Sequence, residues 1–322
     1  MDDRIPDEYH REPDPEFAGD LRERFRRVEA RRVFFARGIV RLLAGACAAI
    51  VVVALFAVPP VRVAAQAFLD LFRVRRFAAV GFSRSRMEAL QSIEKDRGLL
   101  VFDRQEKVLD PGPPRRLASR EAASPQVGFA VSAPKYLPEG LAADSVFVAG
   151  EGAMRLSVSE TKLRSLLDRL DLRDIKVPSG LDGHWIEVRK PPVVFQQFTS
   201  PKRRVVLIQA RSPEVSVPAG WNVEQLAEIG LRVLGLDAGE ARRIARSTDW
   251  RSTLLVPVPM NASTFRQVTV HGQQALLIRT TEAQAGDGRL HRILMWTEGD
   301  RVFCLQGNLS DGDLVQMAES IS

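Results

Sequence analysis

Few residues in this chain have the type and spacing that catalysis or metal binding requires. The four histidines lie far apart in the sequence, and no histidine and cysteine cluster has metal-ligand spacing. The serines lack the Gly-x-Ser-x-Gly setting of a nucleophile elbow, and no glycine-rich phosphate loop occurs. We therefore predict no catalytic residue, no cofactor-binding residue, no metal ligand and no enzymatic activity.

Each histidine has a structural explanation in the sequence pattern. His10 belongs to an acidic tail, and His184 adjoins Trp185 in a predicted strand. His271 falls in a predicted hairpin turn, and His291 belongs to an alternating strand. These positions favour structural roles.

Two further sets of reactive residues also have structural interpretations. Asp168 and Asp171 lie three residues apart on a predicted helix, where charges form the solvated face. Cys47 lies in an apolar run and Cys304 in a predicted strand, so the two should be too far apart to pair. We expect the folded part to be held by packing without an internal disulfide.

The apolar run at residues 38–60 is the element around which the chain is organised. The 17 residues from Leu42 to Val58 carry no charge, and as a helix they would span roughly 25 Å. Arg41 can snorkel to the headgroups at one edge, and Pro59-Pro60 ends the helix at the other. The pattern predicts one transmembrane helix. A cleaved signal peptide and a buried core helix are the alternatives.

The arginines on the two sides of this run predict its orientation. Eight arginines lie in residues 22–41 and four lie in residues 59–78. Basic residues near a span stay on the cytoplasmic side, so the N-terminus should be cytoplasmic and residues 61–322 extracytoplasmic. The expected location is the plasma membrane, with a single pass.

The first 37 residues form a predicted cytoplasmic segment, an acidic tail followed by a basic juxtamembrane helix. Residues 1–20 carry eight acids against two arginines, which is typical of a disordered tail. Apolar residues then recur at helical spacing, at Phe17, Leu21, Phe25 and Val28. This stripe in residues 16–36 either lies on membrane lipid or docks on a cytosolic protein partner.

The net charge of +6 and pI near 9.7 do not indicate nucleic-acid binding. From Met1 to Arg41 ten acids balance ten arginines, and part of the remaining excess lies next to the predicted span. Arginines at that position meet lipid headgroups. We expect no nucleic acid among the partners.

Residues 61–126 are predicted to form a juxtamembrane helix and a linker region. The pattern places a helix at Met87–Lys95, a strand at Leu99–Phe102 and a proline-set turn at Pro111–Pro114. In residues 127–322, a strand is expected in GFAVSAP (128–134), and a hairpin is expected to turn at Gly150–Gly152.

The remainder of 127–322 has the clearest patterns. Leu163, Leu166, Leu167 and Leu170 predict an amphipathic helix, and three strands follow in GHWIEV, VVFQQF and RVVLIQA. Capping pairs predict three later helices: Asn222 with Gln225, Asp237 with Glu240, and Ser310 with Asp313. Two hairpins are expected to turn at His271-Gly272 and Glu298-Gly299-Asp300. This order predicts an α+β fold, with a mainly antiparallel sheet and short packed helices, after one transmembrane helix.

Several segments also resemble a known family. They are YLPEGL (136–141), VPSGLDG (177–183), DWRSTLLVPVP (249–259), GQQALLIR (272–279), MWTEGDRVFCLQGNLSDGDLVQMAESI (295–321) and the juxtamembrane AFLDLFRVRRF. They resemble uncharacterised extracytoplasmic domains of bacterial single-pass membrane proteins that are anti-sigma-factor-like. The resemblance implies a bacterial envelope protein in signal transduction. Many anti-sigma factors bind zinc through a cytoplasmic His and Cys motif, whereas residues 1–37 contain His10 and no cysteine.

Two functions follow from these observations as hypotheses. The first is a membrane-anchored regulatory or sensory protein, anti-sigma-like in organisation. The alternative is an envelope protein that binds a lipid or another small hydrophobic ligand in a groove between sheet and helices.

Overall fold

The computed structural model describes residues 74, 76–82, 84–97, 101–138, 140–250, 252–259, 263–280 and 291–322. The predicted cytoplasmic segment and the predicted span at 38–60 lie outside these residues. Within the described part of the chain, no helix is long and apolar enough to cross a membrane.

The described residues form fourteen strands and six helices. The strands are β1 (Arg76–Phe82), β2 (Phe102–Leu109), β3 (Arg115–Leu117), β4 (Ala142–Ala149), β5 (Gly152–Val158), β6 (Trp185–Lys190), β7 (Val193–Thr199), β8 (Arg204–Arg211), β9 (Glu214–Ser216), β10 (Thr253–Pro259), β11 (Ser263–Val270), β12 (Gln273–Thr280), β13 (Arg292–Glu298) and β14 (Arg301–Gly307). The helices are α1 (Arg84–Arg97), α2 (Arg120–Val127), α3 (Glu160–Arg169), α4 (Val223–Val233), α5 (Ala238–Ser247) and α6 (Asp311–Glu319).

The strands form three sheets. The largest has the order β11-β12-β13-β14-β8-β7-β4-β3, and a smaller one has the order β2-β5-β6-β9. Every neighbouring pair in these two sheets is antiparallel. The third sheet is the parallel pair of β1 and β10. The prediction of an α+β fold with a mainly antiparallel sheet is confirmed.

The predicted capping pairs begin three of the helices. The Asn222 side chain accepts a hydrogen bond from the Gln225 amide at 3.0 Å, at the start of α4. Asp237 does the same for α5, and Ser310 for α6. These caps satisfy backbone donors that have no partner inside the helix, which is why short polar residues mark the boundaries in the sequence.

Side-chain alternation gives the eight-stranded sheet two different apolar faces. One face packs against α6 and includes Trp296 and Phe303, whose rings stack with centroids 5.1 Å apart. On β12, alternate residues Leu276 and Ile278 point the other way, into a larger core. That core also contains residues of the four-stranded sheet, α3, α4, α5, β1 and β10. One strand therefore serves two cores, because successive side chains alternate between faces.

Residues 76–126 contribute to the same sheets as the residues after 127. β2 pairs with β5, β3 pairs with β4, and β1 pairs with β10. The described part of the predicted linker region is therefore integral to the fold.

The predicted hairpin around Gly150–Gly152 is wrong. β4 pairs with β3 and β7 in the large sheet, whereas β5 pairs with β2 and β6 in the small one. The chain changes sheets at Gly150, where an added Cβ would lie 2.9 Å from the Pro111 carbonyl oxygen. Alternating residues around a glycine are compatible with either arrangement, because periodicity does not specify the pairing partner.

Two local predictions before residue 142 are also corrected. The strand expected at Leu99–Phe102 begins at Phe102 and continues to Leu109 through charged residues, which lie on an exposed edge strand. Of the segment 128–134, expected to be a strand, only Pro134 makes a bridge, to Ile321. Buried Gln196 and Gln209 each donate to the Ser132 carbonyl oxygen at 2.7 Å, and Ala133 exchanges two backbone hydrogen bonds with Ser322 at 3.3 Å.

Candidate functional site

The C-terminal helix α6 lies on the eight-stranded sheet, and a charged cluster fixes each of its ends. It contacts β11 and β13, and Leu314, Met317 and Ala318 are buried on its inner side. We call the two clusters the arginine cluster, at Asp311, and the histidine cluster, at His271.

The arginine cluster joins the first turn of α6 to three neighbouring strands. Arg266 of β11 contacts Asp311 Oδ2 at 3.1 Å, and Arg279 of β12 contacts the same oxygen through Nε at 2.8 Å and through Nη2. Arg292 of β13 contacts Oδ1 at 2.5 Å and also donates to the Leu309 carbonyl oxygen at 2.5 Å. One carboxylate therefore accepts from three guanidinium groups.

Strand register explains why this carboxylate is needed. Arg279 and Arg292 are direct partners across β12 and β13, and like charges in such positions repel. Asp311 lies between them, with its side chain only 13% exposed. The Arg279 hydrogen bond, aided by Arg292 and opposed by partial burial, lowers the pKa of Asp311 to about 2.

The histidine cluster joins the opposite end of α6 to two hairpins. His271 and Gly272 form the two-residue turn between β11 and β12, with φ angles of 48° and 72°. Such turns require positive φ at both positions, which is uncommon for a side chain other than glycine, asparagine or aspartate. The His271 backbone N–H donates to Glu319 Oε1 at 3.0 Å.

Both ring nitrogens of His271 face oxygen acceptors. Nδ1 lies 2.6 Å from Glu298 Oε1, and Nε2 lies 2.7 Å from the Glu319 carbonyl oxygen. A neutral imidazole has only one N–H, so both contacts are donor bonds only when the ring is protonated. The bond to the Glu319 carbonyl, with the bond and charge of Glu298, raises the pKa of His271, and partial burial opposes the shift.

Glu298 connects this cluster to the buried face of the sheet. Its Oε1 atom also accepts from the Trp296 indole N–H at 2.9 Å, and Oε2 lies 4.0 Å from the Arg301 guanidinium. The hydrogen-bonded chain thus runs from a surface turn through Glu298 to the core tryptophan. Each member has a partner that fixes its orientation.

The chemistry available to these clusters is that of ion pairing and proton binding. The His271 ring is hydrogen-bonded to a carboxylate and a carbonyl, whereas base catalysis of nucleophilic attack would pair it with a hydroxyl or thiol. The Cys304 thiol has its pKa raised to about 12 by burial, which suppresses the reactive thiolate. Among the described residues, no group of three or more His, Cys, Asp and Glu is placed to hold a metal ion.

The other histidines and acids considered in the sequence are not brought into either cluster. His184 is exposed and its Nδ1 lies 3.2 Å from the Asp182 carbonyl oxygen, while His291 immediately precedes β13. Asp168 and Asp171 are exposed near the end of α3. His10 lies outside the described residues.

The arginine cluster was not anticipated from the sequence, although a signal for it exists. Arg279 lies at the end of β12, Arg292 begins β13, and Arg266 lies in the middle of the neighbouring β11. Asp311 follows the Ser310 cap. The contact itself depends on where α6 lies on the sheet, which no sequence pattern specifies.

Cavities on the described surface are small and largely polar. One of about 330 Å³ is lined by Arg86, Arg169 and Asp171 together with smaller residues. Another, of about 230 Å³, lies beside Trp221 and Asn222. Neither has the mainly apolar lining that a lipid chain requires.

The fold is an α+β domain with mainly antiparallel sheets. Comparison with known proteins finds no matching family model, no similar curated protein and no similar solved structure. The resemblance to extracytoplasmic anti-sigma-factor-like domains therefore stays a prediction from sequence.

Proposed function

We propose that this chain is a single-pass membrane regulator whose outer domain senses a condition or partner and whose cytoplasmic segment transmits the result. The anti-sigma-like organisation predicted from the sequence is part of this proposal. The observation that carries it is the position of β1, the first described strand after the predicted span.

β1 lies in the core of the domain and is the described strand nearest in sequence to the predicted span. Val74 is 0% exposed and its backbone N–H donates to Ser212 Oγ at 3.1 Å. Phe77, Val80 and Phe82 are buried in the larger core, and all seven β1 residues pair with β10. A rearrangement of the core would displace this strand, and through residues 61–73 it would act on the span.

The position of β1 supports a transmitting domain over one that is merely tethered. A tether needs only a flexible linker, which tolerates changes of length and composition. A strand packed in the core instead couples domain conformation to the chain that precedes it, since packed interiors shift between discrete arrangements.

The first test measures topology and partners of the full-length protein in cells. Alkaline phosphatase fused after Ser322 should be active, because it folds only outside the cytoplasm. Affinity purification should recover a cytosolic regulatory protein, such as a sigma factor, with the intact chain and not with a chain lacking residues 1–36.

A substitution variant provides the matched control for that deletion. Replacing Phe17, Leu21, Phe25 and Val28 by serine removes the apolar stripe but keeps the arginines that set topology. Loss of the same partner from this variant, with unchanged membrane insertion, supports transmission through residues 16–36. Equal recovery of all partners with and without residues 1–36, or an inactive phosphatase fusion, would overturn the proposal.

A further inference from the structure

A small cleft beside the start of α4 is lined in part by Trp221, whose indole N–H is buried and has no partner. The cleft holds about 230 Å³ and lies between the loop at residues 178–181 and the first turn of α4. The Trp221 side chain lines it, and the indole Nε1 is the single buried side-chain nitrogen or oxygen without a hydrogen bond in the described part of the chain.

The other interior tryptophans show that this is an exception within the fold. Trp250 Nε1 donates to the Ala245 carbonyl oxygen at 2.7 Å, and Trp296 Nε1 donates to Glu298 at 2.9 Å. Buried indole N–H groups ordinarily find an acceptor, because an unpaired one costs roughly 1–3 kcal/mol. An acceptor supplied from outside would remove that cost at Trp221.

The lining of the cleft indicates the chemistry of such an acceptor. Ser179 provides a hydroxyl, and none of the lining side chains carries a charge. The Asn222 oxygen caps α4 and Gln225 Nε2 donates to the Lys176 carbonyl oxygen at 3.3 Å, so Asn222 offers its amide nitrogen and Gln225 its amide oxygen. Amides and hydroxyls both donate and accept, which matches a ligand with several hydroxyl groups. A charged ligand would be left without a counter-ion in this setting.

The size of the cleft limits the ligand to about one ring. Its volume of about 230 Å³ is below the roughly 300–1,000 Å³ of cavities that hold drug-sized ligands, and it equals about eight water molecules of roughly 30 Å³. The Trp221 ring contributes an apolar surface, and the His184 ring meets it edge-on at a centroid distance of 6.1 Å.

We propose that this cleft binds one neutral saccharide ring, free or at the end of a glycan. The C–H groups of the sugar pack against Trp221, one of its oxygens accepts from the indole N–H, and its remaining hydroxyls pair with Ser179, Asn222 and Gln225. The N–H is out of contact with solvent, so the loop at residues 178–181 moves outward as the ligand enters. This inference does not depend on the proposed function, because binding is measured on the purified protein.

The test observes the indole N–H directly, in the full-length protein labelled with ¹⁵N-tryptophan in detergent. Trp185, Trp221, Trp250 and Trp296 give four side-chain signals, and the W221F variant identifies the one from Trp221. Glucose, N-acetylglucosamine and cellobiose are the probes, with inorganic phosphate as the charged comparison. We expect the Trp221 signal alone to shift and to saturate with at least one sugar, and not with phosphate. A monosaccharide and a disaccharide that bind equally point to the single ring as the recognised unit.

Variants separate a binding role from a structural one. W221F keeps an aromatic ring, although a smaller one, and removes the N–H, so affinity should fall by at least about fivefold to tenfold, the equivalent of one hydrogen bond. W185F, outside the cleft, should bind as the native protein does. If W221F does not fold, Ser179→Ala gives the same test of affinity with the indole intact. A Trp221 signal that does not respond to any sugar, or a response to phosphate instead, overturns the proposal.

Discussion

At the scale of single residues, Asp311 is the charge on which the end of α6 depends. Its pKa in the folded protein is about 2, below the usual 3.8. The stabilisation that Asp311 gives the folded state is therefore present above pH 4 and is lost as the pH falls toward 2. We expect D311N to lower the free energy of unfolding by about 1–2 kcal/mol at neutral pH, allowing for the half-exposed arginines. Urea unfolding at several pH values measures this, and the native and variant curves should converge toward pH 2. A constant difference between the two free energies of unfolding down to that pH would contradict the assignment of this pH dependence to Asp311.

His271 has the opposite pH dependence because its folded pKa is raised. The stabilisation that His271 gives the folded state is fully present below the unfolded pKa of 6.5 and is lost as the pH rises through the higher folded pKa. The groups that face it are Glu298, Glu319 and, through Glu298, Arg301. Relative to H271N, the native protein should lose stability as the pH rises above 6.5. Asparagine is the matched variant because it tolerates the positive φ at this turn. Parallel stability curves for the two proteins across this range would exclude the ion pair.

Cys304 should react slowly with alkylating reagents in the native protein. Burial raises the pKa of its thiol to about 12, and alkylating reagents react with the thiolate. Iodoacetamide at pH 8 followed by peptide mass spectrometry should therefore leave Cys304 unmodified until denaturant is added. Because Cys304 is partly exposed, rapid modification under native conditions would contradict the raised pKa of its thiol.

At the scale of elements, two glycines lie in contrasting surroundings. Gly150 lies where two segments of backbone approach closely, whereas Gly312 lies in the first turn of α6. A Cβ at Gly150 would lie 2.9 Å from the Pro111 carbonyl oxygen, whereas a Cβ at Gly312 in α6 would lie 3.9 Å from Ser310 Oγ. Gly150→Ala should destabilise by about 1–3 kcal/mol through overpacking. Gly312→Ala should stabilise by about 0.5–1 kcal/mol through helix propensity. Thermal unfolding of both variants measures the contrast, and similar shifts in the same direction would contradict it.

At the scale of the whole molecule, one core connects all three sheets. Its members include Phe77 of β1, Ile186 of β6, Val258 of β10 and Ile278 of β12. We therefore expect a single cooperative unfolding transition of the described domain, with coincident curves from tryptophan fluorescence and far-UV circular dichroism. Phe77→Ala should lower stability by about 3–5 kcal/mol and shift both curves together. Separate transitions would show that β1 and the four-stranded sheet unfold independently.

The sequence by itself determined the features that depend on local chemistry. The caps at Asn222, Asp237 and Ser310, the leucine stripe of α3 and the turn at His271-Gly272 follow from rules that act within a few residues. They sufficed to predict the α+β class and three of the helix starts. The uncharged run from Leu42 to Val58 also predicts the membrane span at 38–60, which lies outside the described residues.

Only the tertiary structure decided which strands pair and which charged groups meet. The change of sheet at Gly150, the parallel pairing of β1 with β10 and the cluster at Asp311 join residues that are distant in the chain. Alternation specifies which side chains share a face but not which strand lies beside which. That choice depends on the total burial and charge pairing of the folded chain, and so the arginine and histidine clusters emerge only when α6 packs on the sheet.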